Sequence, residues 1–197
     1  MLGAGSRNDG GIAVKYDTKS LVKGSFPLLA GLLFLEIMGG TILENAIDSF
    51  MEFPLLIAAV PVINCLGGSI GGILGARLSS ALHIGYITPN MKGQHLSRTA
   101  GEGMATGALT FLAMGALFMF LGMGALLDVD QIVKIALIVL LSGLILTLVV
   151  VATSISTAIY SYKLGLDPDD TVIPVITTVA DFTGIGCLVL MMMILNI

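Results

Sequence analysis

Carboxylates set deep in apolar stretches are the side chains of this sequence with chemistry to offer. Asp181 is the tenth of the 24 residues from Val172 to Leu195, and Glu36 the twelfth of the 19 from Ser25 to Leu43. Glu44 and Asn45 follow the end of that first stretch, and Asn64 precedes a run of glycines in the second. A carboxylate at mid-membrane costs about 2.5–3.5 kcal/mol on insertion scales. No Lys or Arg lies at the same depth to offset it. Such acids are either protonated or matched to a bound cation. For Glu36 and Glu44, a neutral carboxyl hydrogen-bonded between helices is an equally good reading.

Asp181 has company on its own helix. Thr177 at i−4 and Thr178 at i−3 share its face, with Pro174 two turns back. A proline inside a helix leaves the carbonyl four residues earlier, here that of Asp170, without its usual donor. Gly184 at i+3 leaves room beside the carboxylate. Carboxylate, hydroxyl and carbonyl oxygens are hard ligands, suited to Mg, Ca or Mn. There is no His/Cys cluster for zinc or copper. His83 and His95 read as solvated residues near a cytoplasmic loop, and Cys65 and Cys187 as packing residues in apolar surroundings.

A second signal is a double row of small residues: Gly67, Gly71, Gly75 and Ser79, beside Gly68, Gly72, Ala76 and Ser80. Small side chains every four residues let helix backbones approach closely. The same bare backbone can line a pathway for a hydrated ion. Gly67, Gly68, Ser69, Gly71 and Gly72 are the candidates for that lining.

The elements that must hold these residues are membrane helices. Of 197 residues, 56% are hydrophobic and 11% charged, against about 25% charged in soluble domains. That excludes a soluble enzyme, and nine Lys+Arg against thirteen Asp+Glu leave no basic surface for nucleic acid. Five segments approach the roughly 20 residues a span needs: Ser25–Leu43, Phe53–Leu82, Met104–Leu127, Ile135–Tyr160 and Val172–Leu195. The second is long and glycine-interrupted, which predicts a break or kink near Gly67-Gly68. With the N-terminus cytoplasmic, Arg7, Lys15, Lys19, Lys23, Arg77, Lys92, Arg98 and Lys163 fall inside and only Lys134 outside. The outer loops then carry Asp48, Glu52, Asp128 and Asp130, which either gather cations or simply keep short loops polar.

On these residues the sequence resembles a known family. The stretch from Val62 to Gly85 (VINCLGGSIGGILGARLSSALHIG) is similar to the glycine-rich second helix of the MgtE magnesium channel and transporter superfamily. It is most similar to the branch shared with eukaryotic solute-carrier magnesium transporters. In that branch a Gly-Asn pair precedes a run like ARLSTA, matched here by Ala76-Arg77-Leu78-Ser79-Ser80-Ala81. The family's DP turn, TT pair and last-helix Asp are matched by Asp167-Pro168-Asp169-Asp170, Thr177-Thr178 and Asp181-Phe182-Thr183-Gly184. Two positions depart. Ser69 stands where the family often has Asn, and Gly71 where the eukaryotic branch has an acid, which leaves ligand set and selectivity open.

The resemblance, which covers roughly residues 22–197, implies an all-α domain of five transmembrane helices over 24–197, behind a short cytoplasmic segment, 1–23. It implies Mg2+ as the transported ion, and a pore between two such domains lined by the second and fifth helices. Asp181 would hold hydrated Mg2+ there. Thr177 and Thr178 would orient its waters, with Glu36, Glu44 and Asn64 as supporting groups. Eukaryotic members carry two copies in one chain. The five spans show no internal repeat, so the expectation is a parallel homodimer in the lipid of the cell membrane. The segment 1–23 has no room for the cytosolic magnesium-sensing domains of bacterial MgtE, so gating by them is not expected.

Other classes fit less well. Gly75-Ala76-Arg77 with Gly85 is faintly similar to the CDP-alcohol phosphotransferase signature, but no Asp lies between Glu52 and Asp128 to bind the metals that chemistry needs. The HExxH motif of intramembrane metalloproteases is absent. A membrane subunit that only packs against a partner would use the small-residue rows but leave Asp181 without a purpose. A sodium- or proton-coupled exchanger remains as an alternative to a passive channel.

Overall fold

In a computed structural model, residues 18–87 and 94–196 are described. Most of the segment 1–23, with Arg7 and Lys15, lies outside the described residues, as do Lys92 and the side chain of His95. The described chain is helical throughout: α1 Thr18–Asn45, α2 Ile47–Glu52, α3 Pro54–His83, α4 Gln94–Gly124, α5 Val129–Lys163 and α6 Pro168–Leu195. Five of these are long and apolar enough to cross a membrane. The protein is an all-α polytopic membrane protein.

Local chemistry sets the helix ends. Asp128 is the N-cap of α5, and its backbone N–H donates to Gln131 Oε1 at 3.3 Å. Pro54 and Pro168 open α3 and α6, where a missing N–H costs nothing. Beyond α3, the Tyr86 amide returns to the Ala81 carbonyl and that of Gly85 to Leu82. Beyond α5, Leu166 returns to Ser161 and Gly165 to Tyr162. These paired bonds need a left-handed residue, supplied by Gly85 and Gly165, both at φ +72°. Leu126 fills the same role after α4 at φ 57°.

Helices α5 and α6 form the centre, α5 packed against α3, α4 and α6, and α6 against α1, α3 and α5. The buried hydroxyls of α5 reach its neighbours: Ser142 donates to the Cys187 carbonyl on α6 at 3.2 Å, and Ser154 shares its proton between the Val150 carbonyl of its own helix at 2.7 Å and the Gly71 carbonyl on α3 at 3.2 Å. Helix α1 packs on α6 and on the short α2 only, so most of it faces outward.

The expected break at Gly67-Gly68 does not occur: α3 is one unbroken helix of 30 residues. The glycines are held by packing instead. A methyl group on Gly67 would meet Leu146 Cδ2 at 2.6 Å, and one on Gly68 would meet Thr177 Cγ2 at 3.4 Å. At 1.5 Å per residue α3 is about 45 Å long, so it tilts or projects beyond a hydrocarbon core of about 30 Å. The third span also begins earlier than its apolar stretch, at Gln94. Its polar first turns are held by Arg98 Nε on Glu102 Oε1 at 3.0 Å and Thr106 Oγ1 on the Glu102 carbonyl at 2.8 Å.

A carboxylate site where α1, α3 and α6 meet

Helices α3 and α6 run antiparallel and close together, and the small residues set their register. Successive contacts pair Asn64 with Gly184, Gly67 with Ala180, Gly68 with Thr177, Gly71 with Ile176, and Gly75 with Val172. Moving up α3 from Asn64 to Gly75 moves back along α6 from Gly184 to Val172, about three turns on each helix. This ladder fixes Asp181 midway along α6, beside Asn64 of α3.

The carboxyl of Asp181 lies within hydrogen-bonding range of the Asn64 side chain, and near enough to Glu36 on α1 for the two acids to repel. Glu36 is brought there because α1 lies against α6, with Gly39 seated on the Phe182 backbone. Asn64 Oδ1 is buried against Gly184 and has no hydrogen-bond partner. Its position shows why residue 184 must be small: a Cβ there would collide with that oxygen. Among the described residues, no ion pair involves Asp181 or Glu36. Nor do three His, Cys, Asp or Glu side chains converge there into one metal-holding group.

The other sequence candidates separate by face. Thr177 is exposed, and its hydroxyl donates to the carbonyls of Ile173 and Pro174 at 3.1 and 3.0 Å. Thr178 is buried, with 7% exposure, and turns into the bundle. The two threonines therefore do not present one common surface. Gly67 and Gly71 are buried against α5 and α6, so within one subunit their small size serves packing. Ser69 is exposed, and a methyl group on Gly72 would meet nothing. Gly68 is buried under Thr177, so like Gly67 and Gly71 it serves packing within one subunit. Glu44 is exposed near the end of α1, two turns and about 12 Å of rise from Glu36. The structure does not bring it to Asp181.

Several partners were not foreseen. Asp128 caps α5 and Asp130 Oδ2 pairs with Lys134 Nζ at 3.0 Å, so these two acids have local structural work. The ring of His83 is only half exposed. Its Nδ1–H donates to the Ser79 carbonyl at 2.9 Å, its Nε2 stands 3.9 Å from Asp167 Oδ1, and its edge meets Tyr162. Some of the buried hydroxyls of α5 do carry a sequence signal, since Thr147, Ser154 and Ser161 recur every seven residues, although Thr147 bonds only to the Gly143 carbonyl of its own helix and Ser142, which reaches α6, lies outside that row. That period places them on one helix face.

Comparison with known proteins gives the chain a family. Over 186 residues the chain is 24% identical to solute carrier family 41 member 3 of Mus musculus, an alignment covering 87% of this chain and 38% of that protein. The chain thus spans under half the length of that relative. No solved structure matches. The profile of the MgtE family, described as a divalent cation transporter, matches residues 60–191, which takes in the α3 ladder, α5 and Asp181. The chain belongs to the MgtE family of divalent cation transporters.

Proposed function

We propose that this chain moves Mg2+ across the cell membrane through a pore at the interface of a parallel homodimer. The observation that carries the reading is Asp181, placed midway along a membrane-spanning helix beside Asn64 and Glu36, with no basic side chain paired to it among the described residues. One such carboxylate is costly in a membrane. Two of them, one from each subunit, offer a divalent ion two negative charges at one level.

Mg2+ gives up water reluctantly and prefers six oxygens at about 2.0–2.1 Å. A site built to pass it should therefore touch the ion's waters more than the ion. The open face beside Asp181 suits this. Ser69 and Thr177 offer hydroxyls there, and Gly72 keeps it free of bulk. Asn64 would hold the carboxyl of Asp181 in place. The orientation follows from the Lys/Arg distribution, with the N-terminus cytoplasmic.

The test is Mg2+ uptake into proteoliposomes by the Asp181→Ala variant. Uptake is expected to vanish while the dimer still assembles, and unchanged uptake would remove Asp181 from the pathway.

A coupled exchange mechanism is the second reading, favoured by Glu36 lying near enough to Asp181 for their charges to interact. Two carboxyls at one depth can share a proton when no ion is present and release it when one binds. Uptake measured with and without an imposed proton or sodium gradient separates the two. A gradient-driven rise in uptake that Glu36→Gln abolishes would establish exchange.

A further inference from the structure

We propose that the cleft between α3 and α4 holds the phosphate headgroup of an anionic phospholipid, bound by Arg77 and Arg98. A cavity of about 150 Å³ opens there, lined by Ile70, Ile73, Leu74, Arg77, Glu102, Gly103 and Thr106. Its lining is mostly apolar with two charged side chains, and Arg98 adjoins it through its bond to Glu102. Of the contacts between neighbouring long helices, that of α3 with α4 is the sparsest, which leaves the gap.

These charges do not balance. Glu102 Oε1 accepts from Arg98 Nε at 3.0 Å, and Glu102 Oε2 stands 3.6 Å from Arg77 Nη1, beyond hydrogen-bonding range. Two guanidinium groups thus share one carboxylate, and a net positive charge remains. Both arginines are well exposed, at 64% and 80% of their side chains. Each guanidinium carries five donors in a planar fork that matches phosphate oxygens.

The position along α3 suits a headgroup. Arg77 lies about 13 Å along α3 from its midpoint, and with that midpoint at the bilayer centre it would stand near the edge of a hydrocarbon half-thickness of about 15 Å. From there its side chain can extend to the phosphate layer while its stem stays in apolar surroundings. Ile73, one turn deeper and half exposed, offers its surface to an acyl chain. A free anion would satisfy the guanidiniums but leave this apolar lining uncovered. A lipid satisfies both, and basic pockets between membrane helices are suited to such headgroups.

The experiment is native mass spectrometry of the full chain, purified in detergent, stripped of lipid and mixed with phosphatidylglycerol or phosphatidylcholine. The wild type is expected to retain phosphatidylglycerol about five-fold better per basic residue engaged. Arg77→Gln with Arg98→Gln should remove that preference, and Glu102→Gln should strengthen it, an increase that misfolding could not produce. Equal retention of the two lipids, or a preference that survives in the double variant, would overturn the proposal. So would displacement of phosphatidylglycerol by millimolar inorganic phosphate, which would mark a small-anion site.

Discussion

Neighbouring glycines on α3 offer a test of how this fold divides packing from pathway. Gly71→Ala would place a methyl group 2.5 Å from Val150 Cγ1 and 3.2 Å from Ser154 Oγ, and closer still to Ile176 Cγ2. The collisions involve two β-branched side chains on two different helices, α5 and α6. Neither can swing clear without moving into its own neighbours, since both are fully buried. Overpacking of this kind typically costs about 1–3 kcal/mol. The same change at Gly72 meets nothing within 4 Å. Both variants gain the same helix propensity, about 1 kcal/mol. Their difference in stability therefore isolates the packing term, and Gly71→Ala should be less stable than Gly72→Ala by about 1–3 kcal/mol. Reversible unfolding in mixed micelles, followed by circular dichroism, gives that difference. Mg2+ flux gives the other half: Gly72→Ala should fold normally yet conduct less, because its methyl group intrudes on the open face. Equal stability of the two variants would refute the division of the two rows.

Other expectations follow from single contacts. Ser154→Ala removes the bond from α5 to the Gly71 carbonyl and should cost about 0.5–1.5 kcal/mol in the same unfolding assay, with flux retained. Gly184→Ala should drive Asn64 away from Asp181 and weaken Mg2+ binding measured by calorimetry. Adding Asn64→Ala should relieve the crowding without restoring affinity. Leu126→Gly should raise stability by roughly 0.5–1 kcal/mol, because a non-glycine residue at φ 57° is strained and this side chain is 91% exposed.

Much of the fold can be read from hydropathy, though hydropathy reports membrane thickness and not helix length. All five spans lie where apolar runs lie, yet α4 begins at Gln94 and not Met104, and α5 at Val129 and not Ile135. The extra turns are polar and are held by local devices: the Arg98–Glu102 pair in α4 and the Asp128 cap in α5. The six-residue α2 carries no apolar run of spanning length and was invisible for that reason. The small-residue rows of α3 are legible as rows, but spacing does not say which row faces which neighbour. That answer depends on where Leu146, Val150 and Ile176 lie on other helices. The same holds for Asp181. Its depth is written in the sequence, whereas the approach of Glu36 depends on how α1 docks against α6.

The most direct measurement of the central claim is the stoichiometry of Mg2+ binding by isothermal titration of the purified protein, wild type against Asp181→Asn. Two subunits sharing one ion between paired carboxylates predict half an ion per chain, with that heat lost in the variant. One ion per chain, or a titration unchanged by Asp181→Asn, would contradict it.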